Sequence, residues 1–315
     1  ASTMGAFALT MDNMTSVVVD IGGTTTDLSF ILQGEPLQAS KGAKLGGRYT
    51  HVKALAVRSV ALGCDSVVRL RGGRITIGPD RKGDAACFGG PVPTPTDAFN
   101  IVDGGKLGNA EMSYRALASL AGDEGRVTEL AEEIIQEFID IICRNIQEMM
   151  RSWEQEPAYR VWEIVNRRRV KLERVVGIGA PAETVIPRLA SRIGCQGFVN
   201  RLSTVGNALG AVVARPTLQI KLHADTQAGT YSTDGDVKEL PNPDRIQMRD
   251  IKELSEKELR ALTERKGIAD YFSEREFFLE EQFNVIRGWS TFGRIFDVGI
   301  TISPGVIKGF KGVKI

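Results

Sequence analysis

Two aspartates, Asp20 and Asp27, bracket the run Ile-Gly-Gly-Thr-Thr-Thr within VVVDIGGTTTDLSFIL, residues 17–32. A turn rich in glycine and hydroxyls between two apolar, β-branched stretches has a chemical use. Glycine lets a backbone approach an anion closely and take positive φ. Consecutive N–H groups and threonine hydroxyls then surround phosphate oxygens. Gly22, Gly23, Thr24, Thr25 and Thr26 are therefore candidate phosphate ligands. Asp20, at a strand end, is suited to hold Mg2+ through water or to orient an attacking water. Asp27 is suited to the same work or to capping the turn. The run is equally readable as a polar β-turn closed by local Asx and threonine hydrogen bonds.

The other reactive residue types are sparse. His51 and His223 are the only histidines, which disfavours a zinc site or a catalytic triad. Cys64, Cys87, Cys143 and Cys195 are far apart and form no CxxC pair. They read as reduced thiols of a cytoplasmic protein. Cys64 and Cys87 as nucleophiles are the weaker reading, since buried structural thiols are commoner. Forty basic and 39 acidic residues leave a net charge of +1, which asks for neither nucleic acid nor an anionic membrane. No apolar run approaches the ~20 residues of a membrane helix, and no signal peptide precedes the first strand. The chain opens on Ala1, as a processed product or a piece of a longer protein would.

With 315 residues and 42% hydrophobic content, one large or two medium domains can be built around these residues. Residues 17–20 and 27–32 read as a hairpin bent around the Gly-Thr turn. Residues 59–65 and 67–79 read as short strands with a tight turn at Gly72-Gly73. Residues 87–109 form a Gly- and Pro-rich loop with a helical start near Thr96 and Asp97. Leu130, Ile134, Phe138, Ile141, Ile142 and Met149 recur at helical spacing, which predicts a helix over 127–150. The basic run at 160–169 reads as a solvated helix or loop. LERVVGIGAP (172–181) is a strand and a glycine turn before a helix starting near 181–183. STVGNALGAVVAR (203–215) is a helix with small residues on one side. Pro216 ends that pattern. Beyond it lie a hairpin over 217–239 turning at Asp234-Gly235, a charged helix over 251–266 and an apolar strand over 295–306. We place a domain boundary at 215/216, giving a lobe over 1–215 and a C-terminal α+β extension over 216–315.

DIGGTTTDLSF resembles the phosphate loop of the actin, sugar-kinase and heat-shock chaperone ATPase superfamily. VVGIGAPAETVIPRLASRIG (175–194) resembles that superfamily's adenosine motif, and TVGNALGAV (204–212) the small-residue helix next in order. VRSVALGCDSVVRLRGGRITIGPDRKGDAACFGGPVPTPTDAFNIV, residues 57–102, is similar in order and content to segments of the hydantoinase/oxoprolinase A family. The resemblance covers residues 1–215. It implies an α/β, ribonuclease H-like actin-like lobe with a mixed sheet flanked by helices. It also implies ATP and Mg2+ as cofactors, with Gly177, Gly179 and Ala180 against the nucleoside. The chain departs from the family at Gly63-Cys64-Asp65-Ser66, where a GGGS run is usual, at Asp84-Ala85-Ala86, and in the GIGAP turn. These departures touch the substrate chemistry more than the fold.

The segments downstream of Asp20 resemble those downstream of the second of the superfamily's two phosphate loops, so the chain resembles the second lobe alone. A partner subunit, or a segment outside this chain, would supply the first loop. A rival assignment takes Asp20 as the first loop of a small kinase, with IVDGGKLGN (101–109) as the second; those glycines are also readable as a plain turn. By resemblance the activity would be ATP-dependent opening of a cyclic amide such as a hydantoin or 5-oxoproline, with a small-molecule substrate and a hydantoinase B-like partner chain. The substrate pocket would lie near Asp65, Ser66 and residues 87–96. A nucleotide-dependent regulatory or reactivating subunit is the alternative, and a lobe that has lost its nucleotide is a third reading, opposed by the intact DIGGTTTD. A homo-oligomer is compatible with the sequence but not demanded by it.

Overall fold

A computed structural model describes residues 1–39, 42–45, 48–50, 54–155, 171–233, 235–288 and 290–312. The basic run at 160–169 and Asp234 of the expected 234–235 turn lie outside these residues. The chain divides into two compact units, Ala1–Val213 and Ala214–Lys311, with Gly312 belonging to the first.

The first unit begins with helix α1 (Ser2–Thr10) and is built on a mixed sheet. Strands β1 (Ser16–Ile21) and β2 (Thr26–Leu32) pair antiparallel, with Asp20 opposite Asp27. This is the expected hairpin. The free edge of β2 is shared by β3 (Glu35–Pro36) and, nearer the turn, by β6 (Val57–Val60). The other edge of β1 pairs in parallel with β9 (Arg174–Ile178), which pairs in parallel with β10 (Gln196–Phe198). A small pair, β4 (Lys44–Leu45) and β5 (Arg48–Tyr49), stands apart from it. So does the hairpin β7 (Ser66–Arg71) and β8 (Arg74–Arg81), which turns at Gly72-Gly73 as the sequence predicts.

Side chains of β1 alternate between two cores, as the period of a strand requires. Val17, Val19 and Ile21 face the larger core, while Val18 faces a smaller one with Ala6 and Leu9 of α1. The larger core is roofed by α2 (Pro95–Val102), α3 (Ala110–Ala121), α4 (Val127–Glu154) and α5 (Ala182–Ile193). Helix α4 is the predicted helix. Its Leu130, Ile134, Phe138 and Ile142 are fully buried, and each such side chain contributes about 1.5–3 kcal/mol. Phe138 meets Phe99 of α2 edge to face, 5.9 Å between centroids. Helix α6 (Gly206–Val213) is shorter than the helix expected over 203–215, because residues Ser203–Val205 form a 3-10 turn. Gly206 and Gly210 let α6 touch the backbone of α1; a Cβ on Gly210 would stand 2.0 Å from the Ala1 carbonyl oxygen.

The second unit is a five-stranded antiparallel sheet in the order β13-β12-β11-β15-β14. Its strands are β11 (Gln219–Asp225), β12 (Thr230–Thr233), β13 (Asp236–Glu239), β14 (Arg275–Arg287) and β15 (Ser290–Ile302). Helix α7 (Met248–Arg265) packs Ile251 and Leu259 with Leu222, Phe296 and Ile300 of the sheet. The expected hairpin is a three-stranded meander, since the chain also turns between β11 and β12. The expected apolar strand is β15. Its 13-residue partner β14, REFFLEEQFNVIR, was not expected from the sequence. No helix among the described residues is long and apolar enough to cross a membrane.

Candidate nucleotide site

The turn at residues 22–25 sits at the carboxyl end of β1. Gly22 N–H closes it on the Thr25 carbonyl at 2.9 Å. The N–H groups of Gly23, Thr24 and Thr25, and the hydroxyls of Thr24 and Thr25, have no protein partner among the described residues. Gly22, Thr24 and Thr25 are exposed. Unpartnered donors on an open turn are what an anion cradle needs, which makes residues 23–25 the candidate cradle. Thr26 differs from its neighbours and corrects the expectation placed on it. It is buried and its hydroxyl donates to the Leu62 carbonyl at 2.7 Å, which ties the turn to the next loop.

That loop, residues 61–65, is not the strand expected there. It buttresses the turn: Cys64 N–H donates to the Gly22 carbonyl at 3.0 Å and Asp65 N–H to the Gly23 carbonyl at 2.8 Å. The approach leaves no room for a side chain at Gly63, whose Cβ would stand 2.3 Å from the Gly23 carbonyl carbon. Thr96 holds the loop in turn, donating to the Cys64 carbonyl from both N–H and hydroxyl, at 2.9 and 2.8 Å. Behind it lies Asp97, a buried carboxylate that accepts from Ala86 N–H, Cys87 N–H, Thr94 N–H, the Thr94 hydroxyl and the Ser113 hydroxyl, all within 3.1 Å. Asp97 thus organises the Gly- and Pro-rich loop.

Directly opposite residues of an antiparallel pair share a face with Cβ atoms about 4.5–5.5 Å apart, and like charges there repel. Asp20 and Asp27 are such a pair. Both are half-buried, on the side of the sheet where α1 and α6 pack. The Asp20 carboxylate accepts a hydrogen bond from the Asn207 side-chain amide at 2.9 Å. Sequence reasoning missed Asn207; it lies in the TVGNALGAV segment, and its position at the start of a glycine-rich helix was the available signal.

Because β9 runs parallel to β1 with Ile178 beside Asp20, the GIGAP turn emerges next to the phosphate turn. Gly179 has φ +96°, and a Cβ there would stand 2.3 Å from the Ile21 carbonyl oxygen. Only glycine serves at this point. Ala180 is exposed beside it. Gly177, expected against the nucleoside, is instead a packing glycine. It is buried in β9, and a Cβ would meet Ile186 of α5 at 2.4 Å.

Other candidates lie elsewhere or are closed. Asp103, Gly104 and Gly105 form the C-terminal turn of α2, with Asp103 paired to Arg188 at 2.5 Å. A helix C-terminus presents carbonyls and the negative dipole end, so the rival phosphate loop has no anion-binding donors there. Cys64 and Cys87 are buried. Burial, with Asp65 beside it, pushes the Cys64 thiol far up, and burial with Asp97 pushes Cys87 up to about 11. A recess of about 450 Å³ edged by Cys143, Arg144 and Arg192 opens near Lys171, at the opposite end of β9.

The residues present suit a nucleotide phosphate with a divalent cation. Thr24 and Thr25 supply donors, and the facing Asp20 and Asp27 supply hard oxygen ligands whose repulsion a cation would relieve.

The sequence model of the hydantoinase/oxoprolinase family matches residues 1–220. No curated protein sequence matches the chain. Among solved structures, nucleotide-free acetone carboxylase, from work on ATP-dependent acetone carboxylation, aligns with a TM-score of 0.61 at 16% identity, over 99% of this chain and 49% of that one. The ATP-dependent caprolactamase of Pseudomonas jessenii aligns with a TM-score of 0.52 at 15% identity, over 95% of this chain and 48% of that one. This chain thus spans about half the length of each. The likeness establishes the fold, a mixed α/β architecture shared with both structures. With more than half of its residues matched by the family model, the chain belongs to the hydantoinase/oxoprolinase family.

Proposed function

We propose that this chain is the nucleotide-binding lobe of an ATP-dependent hydrolase that opens a cyclic amide, of the hydantoin or 5-oxoproline class, with Mg2+ as the metal. One observation carries the reading. Asp20, Asp27, the unpartnered donors at 23–25 and the Gly179 turn all gather at the carboxyl ends of two neighbouring parallel strands, where open α/β sheets take their ligands. In this reading Asp20 and Asp27 ligate the metal, with Asn207 fixing the Asp20 carboxylate. Thr24 and Thr25 hold phosphate oxygens through N–H and hydroxyl, and Gly179 and Ala180 face the nucleoside. ATP would phosphorylate the amide carbonyl oxygen and so activate its carbon. Water would add there, the C–N bond would break with a proton going to the ring nitrogen, and a second water would release phosphate. The chain's own work is positioning and charge stabilisation. A partner subunit supplies the complementary phosphate loop, and a hydantoinase B-like chain is the expected companion.

The test is isothermal titration of MgATP and MgADP into the chain beside Asp20→Ala. Micromolar binding that disappears in the variant supports the reading. Binding unchanged in Asp20→Ala refutes the assigned metal ligand, and absence of binding with and without the companion chain refutes the nucleotide site.

A further inference from the structure

On the side of the turn away from Asp20 and Asp27 stands a guanidinium. Arg81 ends β8 and reaches the loop that buttresses Gly23. Its Nη2 lies 2.9 Å from Asp65 Oδ2 and 3.0 Å from Asp84 Oδ1, and its Nε donates to the Gly83 carbonyl at 3.1 Å. Its Nη1 has no protein partner among the described residues. Asp65 Oδ2 itself occupies the space over Gly23, 2.3 Å from where a Cβ would stand. A cation is thus held one hydrogen bond beyond a carboxylate that covers the anion cradle.

The carboxylate is not needed to brace the turn, because the Asp65 backbone N–H already does that. It is poorly placed as a charge: burial pushes its pKa up, Arg81 opposes that, and Asp84 adds to it. Beside unpartnered N–H donors, a negative group left unneutralised would repel phosphate. Both carboxylates meet the guanidinium at Nη2, so the Nη1 hydrogens are what Arg81 keeps for an incoming anion. Its planar fork matches a phosphoryl group better than a carboxylate pair that reaches it through a single nitrogen.

We infer that Arg81 is a further anion-binding residue, whose Nη1 takes the terminal phosphoryl oxygens of a nucleoside triphosphate seated on residues 23–25 while Nη2 stays on Asp65. Asp65 is the positioning residue that parks it. The inference rests on the nucleotide reading above, and it adds discrimination: a diphosphate lacks the group that Arg81 meets.

The experiment titrates MgATP, MgADP and magnesium tripolyphosphate into the 315-residue chain and into Arg81→Gln, Arg81→Lys, Asp65→Asn and Asp20→Ala, with melting temperatures in parallel. Arg81→Gln is expected to weaken MgATP and tripolyphosphate about tenfold, the scale of one charge-assisted hydrogen bond, while MgADP stays within about twofold. Arg81→Lys is expected to recover part of the loss, and Asp65→Asn to tighten MgATP. Arg81→Gln that binds MgATP like the intact chain overturns the inference, and loss in Asp20→Ala alone then leaves the nucleotide reading standing. Equal losses of MgATP and MgADP with a lowered melting temperature make the pair a structural brace and also overturn it. An intact chain that binds neither MgATP nor tripolyphosphate, with and without the companion chain, overturns both readings.

Discussion

Asn207 shows how much a single contact at this site depends on folding. It touches Asp20 across 187 positions of sequence. Asn207→Ala removes a neutral donor to a charged acceptor, a loss of about 1.5 kcal/mol. MgATP affinity should fall roughly tenfold in titration calorimetry, with an unchanged melting temperature because Asn207 is exposed. Gly179→Ala is expected to act oppositely. The new methyl meets the Ile21 carbonyl at a φ that alanine resists, so stability should drop by about 2–4 kcal/mol, measured by urea unfolding. Asp97→Asn would turn an amide toward five donors, and about 3 kcal/mol of stability should be lost. The turn itself was legible, because glycines, threonines and flanking aspartates between two β-branched runs announce a polar turn. Arg81 was not, because an arginine at the end of a hairpin reads as a solvated charge until its partners are known.

At the scale of elements, the strands that carry the site are joined outside it. Arg174, nearly buried at the start of β9, forms a two-pronged ion pair with Asp12 at 2.7 and 2.8 Å and donates to the Ser16 hydroxyl at 3.1 Å. Burial opposes the Asp12 charge, but Arg174 and the Met14 N–H outweigh it and hold the carboxyl below its ordinary value. The lowered pKa means that the pair stabilises the fold above the unfolded carboxylate pKa of about 3.9 and is lost as pH falls through the folded value. Asp12→Asn should cost about 2 kcal/mol near pH 7, less than a fully buried pair because Asp12 is partly exposed. The difference in melting temperature between wild type and variant should shrink as pH falls from about 6 toward 3. Helix α4 and the β1–β2 hairpin were legible from periodicity. Strand β14 was not: it is an edge strand, only one of its faces meets α7, and charged residues interrupt its alternation.

For the whole molecule, the two units hold separate cores. Phe296 is fully buried in the second unit, so Phe296→Ala should cost about 3–5 kcal/mol. Every residue named at the candidate nucleotide site belongs to the first unit. MgATP affinity per folded molecule, measured below the unfolding transition, should therefore stay at the wild-type value.

The amino-acid sequence by itself determined that a glycine- and threonine-rich turn would join two paired strands, and that a long amphipathic helix would cover them. Those features are local: residue type, a period of two and a period of 3.6 encode them. Tertiary structure alone decided which residues meet at the turn. Parallel pairing of β9 with β1 brought Gly179 to Ile21 and Asn207 to Asp20, while close packing of α5 on β9 reassigned Gly177 to the core. The docking of loop 61–65 on Gly22 and Gly23 turned Thr26 inward and set Asp65 and Arg81 beside the cradle. Such contacts join distant segments through shape and hydrogen-bond satisfaction, which no local pattern records.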